Sequence, residues 1–361
     1  MEISRKEKAN IPIKKGIVDM NFRQIKEQIK DKMYFRKKRL QARIPLPFPM
    51  VINIELTNKC TENCIWCPRD SMTRERGFME FDVFKKIIDE IPRDQRLRRL
   101  YVHWMGEPLL HPEFLKFIEY AKSEDKAESI VIATNGFPLS KDVMKRMIEL
   151  KIDELFVAID AANPGSYSEF KNTDHFNTIK NNVIKAIALR KEMRSNLPFI
   201  RVKFLETDHN LREKEFFRLQ WRGIADSVFF EKDLSIWDGK SEKVNKYIKS
   251  MGCYLKHYGD LAIRYPCDRL WYLLAVQWNG IVSPCVCDWN GENGIGDIRE
   301  QSIEEIWYSD ILMSYRSHHI NRTFEKVKLC SVCARWGTRN MGDWLTKHKR
   351  KALSRPQIGK G

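Results

Sequence analysis

Three cysteines lie close together near the start of the chain. Cys60, Cys64 and Cys67 follow a strand-like run, so one loop carries all three thiols. An iron–sulfur cube normally takes four thiolates. A triplet without a fourth cysteine nearby therefore predicts a [4Fe–4S] cluster in which one iron keeps an exchangeable position. The alternative is a zinc site, for which His103 and His111 are the nearest further ligands.

A second group of cysteines lies in the C-terminal third of the chain, at Cys253, Cys267, Cys285, Cys287, Cys330 and Cys333. Cys267 and Cys285 flank a predicted β-hairpin with Asn279-Gly280 at its turn. Cys330 and Cys333 form a Cys-x-x-Cys pair. Because thiols stay reduced in the cytoplasm, this grouping predicts metal binding rather than disulfides.

Short apolar runs alternate with helical patterns through the middle of the chain. The runs are residues 51–56, 100–104, 130–133, 155–159, 199–205 and 228–230. This alternation predicts a parallel α/β sheet. Six strands are too few to close an eight-stranded barrel, so we expect a partial (β/α)6 TIM-like barrel with its chemistry at the C-terminal strand ends.

The alternation stops near Gly239, after which cysteine, tryptophan and glycine become denser. Residues 21–43 have the periodicity of an amphipathic helix with a basic outer face, expected to pack on the barrel, with contact to a membrane surface or a partner as the alternative. The predicted divisions are a basic helical extension, the barrel, a small α+β domain and a basic tail, at residues 1–50, 51–239, 240–340 and 341–361.

Composition limits the class of protein. The chain has 361 residues, of which 43% are hydrophobic, so it is long enough for a large domain and a smaller one. The first fifty residues lack the apolar core of a signal peptide, and no apolar stretch is long enough to span a bilayer, so we expect a cytoplasmic protein. The formal charge is +16. The basic runs at 36–43 and 347–355 carry no nucleic-acid-binding pattern, so nucleic acid is not the expected partner.

The first cysteine group resembles the signature of the radical S-adenosylmethionine (SAM) superfamily, Cys-x-x-x-Cys-x-aromatic-Cys, with Trp66 at the aromatic position. The resemblance implies that the amine and carboxylate of SAM chelate the open iron. It further implies that the reduced cluster splits SAM into methionine and a 5′-deoxyadenosyl radical, and that an electron donor such as flavodoxin or ferredoxin is a partner.

Three strand-end motifs support this resemblance. Met105-Gly106-Glu107-Pro108 is similar to the family's Gly-Gly-Glu-Pro, with Met105 in place of the first glycine. Thr134-Asn135-Gly136 has polar groups for the ribose or adenine, and Ala158-Ile159-Asp160 resembles Ser-x-Asp with alanine in place of serine. The cofactor-binding residues that the resemblance implies are Trp66, Gly106, Glu107, Thr134, Asn135 and Asp160.

The order of the C-terminal motifs resembles the SPASM and Twitch extensions of radical SAM enzymes. A full SPASM domain needs cysteines after the last pair, and none follows Cys333. The shorter Twitch form implies one auxiliary [4Fe–4S] cluster on Cys267, Cys285, Cys330 and Cys333, with Cys253 and Cys287 as spare thiols. If the strand continues past Cys285, Cys287 faces the same side and is the alternative ligand to Cys285. A structural zinc on the same four cysteines is the alternative.

The resemblance implies a dehydrogenase that oxidises an alcohol of a sugar or aminocyclitol. The radical would remove a hydrogen atom, an unidentified base would take a proton, and the auxiliary cluster would accept the electron. Related architectures modify ribosomally made peptides, so the substrate is a small molecule or a peptide. The hypothesis of another class is a non-catalytic metal scaffold that binds nucleic acid.

Overall fold

The computed structural model describes residues 44, 46–206, 210–231, 266–331, 333 and 349–354. The chain divides into two compact units, Met1–Ile44 and Pro45–Gly361, and every described residue except Ile44 belongs to the second. The predicted helix over 21–43, the predicted boundary near Gly239 and the thiol of Cys253 lie outside the described residues.

Six parallel strands form the main part of the sheet in the described chain, and each pairs with its neighbours in chain order. The strands are β1 (Val51–Ile54), β2 (Arg99–Tyr101), β3 (Ile130–Thr134), β4 (Glu154–Ala158), β5 (Phe199–Leu205) and β6 (Ser227–Glu231). All six predicted strands are confirmed, as is the partial TIM-barrel fold. Arg99 of β2 and Arg201 of β5 both form ion pairs with Glu154 of β4, at 3.0 and 3.2 Å.

Helices follow the strands, as the alternation predicts. They are α1 (Phe81–Asp89), α2 (Phe114–Ser123), α3 (Lys141–Glu149), α4 (Pro164–Lys171), α5 (Phe176–Glu192) and α6 (Lys214–Trp221). Local sequence sets where they begin: the Ser140 hydroxyl accepts from the Val143 N–H at the start of α3, and the Asn163 side chain accepts from the Ser166 N–H at the start of α4.

The predicted hairpin is confirmed and extends the same sheet. Its strands are β7 (Leu273–Val276) and β8 (Ile281–Ser283), and Gly280 adopts a φ of +89° at the turn. β7 pairs in parallel with β1, and β9 (Gly296–Asp297) pairs with β8. The sheet order in the described residues is therefore β6-β5-β4-β3-β2-β1-β7-β8-β9, with the cysteine-rich region joined to the barrel by backbone hydrogen bonds.

The remaining helices follow the hairpin in the chain. They are α7 (Ile303–Trp307), α8 (Asp310–Ile320), α9 (Lys328–Ser331) and α10 (Lys349–Leu353). α7 begins at a capping box formed by Ser302 and Glu305. In the described part of the chain, no helix has the length and apolar character that crossing a membrane requires.

A buried ion pair joins the barrel to the hairpin. Glu55, directly after β1, is fully buried, and the Arg74 guanidinium donates to both of its carboxylate oxygens at 2.6 Å. The same carboxylate accepts from the backbone N–H groups of Met105 and Trp278, and Arg74 also donates to the Trp289 carbonyl. Burial raises the pKa of Glu55, and Arg74 opposes that rise.

We expect Arg74→Met to lower the melting temperature strongly, because it leaves the buried Glu55 carboxylate without its cation. Loss of one partner of a buried pair costs roughly 3–5 kcal/mol. The control is Arg96→Met, which breaks an exposed pair with Asp125 and should change the melting temperature little. Circular dichroism at equal iron content makes the comparison, and equal shifts in the two variants would contradict the assigned role of the pair.

Candidate active site

The cysteine triplet lies on the loop after β1, at the C-terminal end of the barrel strands. Its thiols are half-buried, and no disulfide joins them. Burial raises the pKa of Cys60 to about 11 and that of Cys64 to about 12. These thiols therefore stay protonated at neutral pH unless a bound metal displaces their protons, as coordination does. A set of three such thiols fits an iron–sulfur cluster with one open iron.

The loop is held against the end of α4. The Ile65 N–H donates to the Phe170 carbonyl at 2.9 Å, and the buried Trp66 ring packs on the Phe170 ring with 5.3 Å between centroids. The Lys171 ammonium lies 4.9 Å from the Trp66 ring centroid. Trp66 therefore serves as an apolar wall that fixes the loop between Cys64 and Cys67.

Glu107 holds the ends of β2 and β3 together. Its carboxylate is 1% exposed and accepts from the Thr134 hydroxyl at 2.7 Å, the Asn135 N–H at 2.6 Å and the Leu109 N–H at 3.1 Å. The Glu107 N–H donates to the carbonyl of Lys59, next to Cys60. Burial raises the pKa of Glu107 to about 7. The three predicted residues Glu107, Thr134 and Asn135 are thus brought together.

Asn135 also contacts the cysteine loop. Its side-chain amide donates to the Thr61 hydroxyl at 2.8 Å and to the Cys60 sulfur at 3.7 Å. The end of β3 is thereby joined to the first cysteine, a contact that the sequence did not indicate.

Gly106 is required by its surroundings. Its φ is +81°, and a Cβ atom there would lie 2.5 Å from the Thr57 carbonyl oxygen. The buried Met105 stands where the family motif has its first glycine. Glycine is therefore required only at the second position of the motif, Gly106.

The Asp160 carboxylate, at the end of β4, is hydrogen-bonded to other groups of the protein. The residue is 1% exposed, has a φ of +62°, and accepts from the Leu205 N–H at 2.8 Å and the Lys171 ammonium at 2.6 Å. Burial favours a higher pKa for Asp160, but Lys171 and Lys203 hold that pKa below its ordinary value. The sequence did not single out Lys171, because its partner lies on another element and no local pattern marks the pair.

The two histidines considered as zinc ligands have other contacts. The His111 ring bonds the Met79 carbonyl at 2.9 Å and the Glu113 N–H at 3.1 Å, so both of its nitrogens are used. His103 Nδ1 accepts from the Ala133 N–H at 3.0 Å, and burial lowers the pKa of His103 to about 4. In its neutral form this ring carries its proton on Nε2.

The second cysteine group lines one small cavity. Five thiols face it, together with Arg269, Leu270, His319 and Leu329; they belong to Cys267, Cys285, Cys287, Cys330 and Cys333. The four predicted ligands are therefore brought together. Cys287, predicted as a spare thiol, lines the same cavity. The chain turns after β8, where the Asp288 N–H donates to the Cys285 carbonyl, and this turn brings Cys287 to the cavity.

The donors of this cavity fit an iron–sulfur cluster. Burial raises the pKa of Cys267 to about 11, so coordination is needed to make this thiol a thiolate. Among the described residues, no group of three or more His, Cys, Asp or Glu side chains surrounds a single metal-ion position. The fit therefore depends on the number and kind of the donors, which suit a four-thiolate cluster.

Trp104 connects the barrel mouth to this cavity. The residue follows β2, two positions before Gly106, and its indole N–H donates to the Val286 carbonyl at 2.9 Å. Val286 lies between Cys285 and Cys287. A single side chain thus spans from the loop that carries Glu107 to the peptide unit between two cavity thiols.

Two family models match the chain. The radical SAM superfamily matches residues 54–209, and the SPASM iron–sulfur cluster-binding domain matches residues 267–334. These ranges contain the first cysteine triplet and the five-thiol cavity, respectively.

Two curated proteins are similar over most of their length. The tungsten-containing aldehyde ferredoxin oxidoreductase cofactor-modifying protein of Pyrococcus furiosus is 24% identical over 309 residues, covering 77% of this chain and 86% of that protein. The S-adenosyl-L-methionine-dependent 2-deoxy-scyllo-inosamine dehydrogenase of Niallia circulans is 23% identical over 288 residues, covering 78% and 92%.

Two solved structures share the fold. BtrN in complex with AdoMet and 2-DOIA is 19% identical, with a TM-score of 0.51, covering 86% of this chain and 96% of that one. SuiB of Streptococcus suis bound to the precursor peptide SuiA is 15% identical, with a TM-score of 0.57, covering 99% and 85%.

Proposed function

We propose that this chain, a radical SAM enzyme with a C-terminal SPASM domain, oxidises an alcohol group of a sugar or aminocyclitol to a carbonyl. The two domains imply a SAM-binding [4Fe–4S] cluster, SAM and auxiliary iron–sulfur chemistry. When bound, these groups supply a 5′-deoxyadenosyl radical that takes a hydrogen atom from the substrate carbon and an acceptor for the electron released. The hydroxyl proton goes to a base, so the alcohol loses two protons and two electrons in total.

The hydrogen bond from Trp104 to Val286 is the observation that carries this proposal. It joins the mouth of the barrel, where the substrate would lie, to the cavity lined by Cys285 and Cys287. A cluster saturated by four thiolates has no open iron for a substrate and suits electron transfer. A connected acceptor is needed for an oxidation, because the substrate radical must lose an electron.

We assign the SAM-binding cluster to Cys60, Cys64 and Cys67, with Trp66 as the wall of the loop. A carboxylate has about four lone-pair sites, and the protein uses three of those on Glu107. The remaining site is free to accept from the methionine ammonium of SAM. Gly106 lets the Glu107 loop pack closely against the Thr57 backbone, while Thr134 and Asn135 hold Glu107 in place.

Asp160 has a supporting role in this proposal. Its carboxylate is paired with Lys171 and bound to the Leu205 N–H, so it fixes the ends of β4 and β5 beside the cysteine loop. We assign the auxiliary cluster to Cys267, Cys285, Cys330 and Cys333, and an electron donor such as flavodoxin or ferredoxin to the reduction of the first cluster.

The substrate class rests on the similarity to the 2-deoxy-scyllo-inosamine dehydrogenase. The second candidate is modification of a ribosomally made peptide, favoured by the shared fold with SuiB bound to its precursor peptide. Production of 5′-deoxyadenosine, measured with aminocyclitols, sugars and peptides in turn, separates the two candidates. A non-catalytic zinc scaffold would hold about two zinc ions per chain in place of about eight irons.

Replacing Cys60, Cys64 and Cys67 together with alanine should abolish SAM cleavage and remove about four irons per chain. The reason is that these thiols are the assigned ligands of the only cluster with an open iron. Iron content and 5′-deoxyadenosine are measured anaerobically with reductant. Continued formation of 5′-deoxyadenosine in this variant would refute the assignment.

Glu107→Gln should weaken SAM binding while leaving iron content unchanged. The glutamine amide places an NH2 donor where a carboxylate oxygen accepted from the Thr134, Asn135 and Leu109 donors. It also removes the proposed charge-assisted hydrogen bond to the methionine ammonium of SAM, worth about 1.5 to 3 kcal/mol. Affinity should fall about tenfold to a hundredfold, by equilibrium binding. Glu113→Gln, at an exposed site paired with Lys116, is the control. Equal SAM affinities in the two variants would show that the methionine ammonium of SAM does not bind to Glu107.

Replacing Cys330 and Cys333 with alanine should leave SAM cleavage measurable but eliminate oxidised product, because radical formation needs only the first cluster. Metal binding contributes folding free energy to small metal domains, so circular dichroism is recorded alongside. A folded variant that still forms product at the wild-type ratio to 5′-deoxyadenosine would show redox-neutral chemistry instead.

A further inference from the structure

Arg269 points its guanidinium at the thiols of the second cavity. The residue lies in the 3-10 turn Asp268–Trp271, two positions after Cys267. Its Nη1 donates to the Cys285 sulfur at 3.6 Å and to the Cys287 sulfur at 3.9 Å. Neither the sequence motifs nor the assigned set of four ligands includes this arginine.

The charge of Arg269 is not balanced by a carboxylate in the part of the chain that the structure describes, since no ion pair there involves it. Arg299, in the same region, pairs with Asp297, while the buried Arg316 guanidinium donates to the carbonyls of Leu270 and Trp307. A guanidinium stays protonated, and its N–H groups need acceptors when they are buried. The acceptors described for Arg269 are the sulfurs of Cys285 and Cys287. The anionic group that this cavity can provide is a thiolate-bound cluster.

We propose that Arg269 is a positioning residue for the auxiliary cluster, whose reduction potential it raises as counter-ion and hydrogen-bond donor. The inference rests on the cluster assigned under the proposed function. Reduction adds one negative charge to the cluster, so a nearby cation stabilises the reduced form more than the oxidised form. Leu270 and Leu329 in the cavity lining lower the local dielectric and strengthen this effect.

This role matches an oxidation. An auxiliary cluster with a raised potential accepts the electron of a substrate radical more readily than one without a neighbouring cation. Arg269 contacts the two thiols on either side of Val286, the residue that Trp104 reaches from the barrel mouth. The cation therefore lies at the cavity edge nearest to the proposed point of electron entry.

The test compares midpoint potentials in the reconstituted full chain. Arg269→Met keeps an unbranched side chain but removes the charge and the hydrogen-bond donors, whereas Arg269→Lys keeps the charge. The control, Arg299→Met, removes an exposed arginine that pairs with Asp297 and has no described contact with a sulfur atom. Redox titration is followed by electron paramagnetic resonance, and the auxiliary cluster is identified as the signal that SAM does not alter.

We expect the auxiliary midpoint to move to lower potential in Arg269→Met, to move less in Arg269→Lys and to stay unchanged in Arg299→Met. The yield of oxidised product per 5′-deoxyadenosine should fall in the same order. An unchanged midpoint in Arg269→Met at full iron content would overturn this inference and leave the proposed function intact.

A wild-type chain without a second cluster would overturn both the inference and the assignment of the auxiliary site. If Arg269→Met does not retain the cluster, Arg269→Gln is titrated in its place. Loss of the cluster in both variants would overturn the tuning role, because Arg269 would then be required for cluster assembly.

Discussion

The buried ion pair between Glu55 and Arg74 is the interaction on which the arrangement of both cysteine sites depends. Glu55 directly follows β1, at the start of the segment that leads to the first cysteine loop, and its carboxylate also accepts from the N–H groups of Met105 and Trp278. Because the pair is buried, neither partner can be solvated if the other moves. The cysteine loop, the Glu107 loop and the hairpin are therefore held in one relative position.

The polar strand-end residues mainly satisfy one another. Glu107 accepts three hydrogen bonds from the β2 and β3 ends, and Asp160 is paired with Lys171 beneath Trp66. A buried carboxylate must be satisfied by donors, and these donors come from different loops. The consequence is a set of buried carboxylates beside the cysteine triplet that bind donors from neighbouring loops and connect the strand ends to one another.

The two cysteine sites differ in their electrostatic surroundings. The first has Glu107, Glu62 and Asp160 among its neighbours, with Lys171 near Cys64 and Arg69 near Cys60 and Cys67 as opposing charges. The second has Arg269 directly on its sulfurs. Negative groups disfavour cluster reduction and a cation favours it. The proposed tuning by Arg269 would therefore act at the second cysteine site and not at the first.

The sequence by itself determined the six barrel strands and the hairpin, because these depend on local periodicity and turn residues. The set of four C-terminal cysteines came from the resemblance to Twitch enzymes. Only the tertiary structure decided that β7 continues the sheet beside β1 and that Trp104 reaches Val286 across 182 positions of sequence. The pairs Glu55–Arg74, Asp160–Lys171 and Arg269–Cys285 belong to the same class. Each depends on strand pairing and on the path of a loop, and such contacts between distant residues leave no local pattern in the chain.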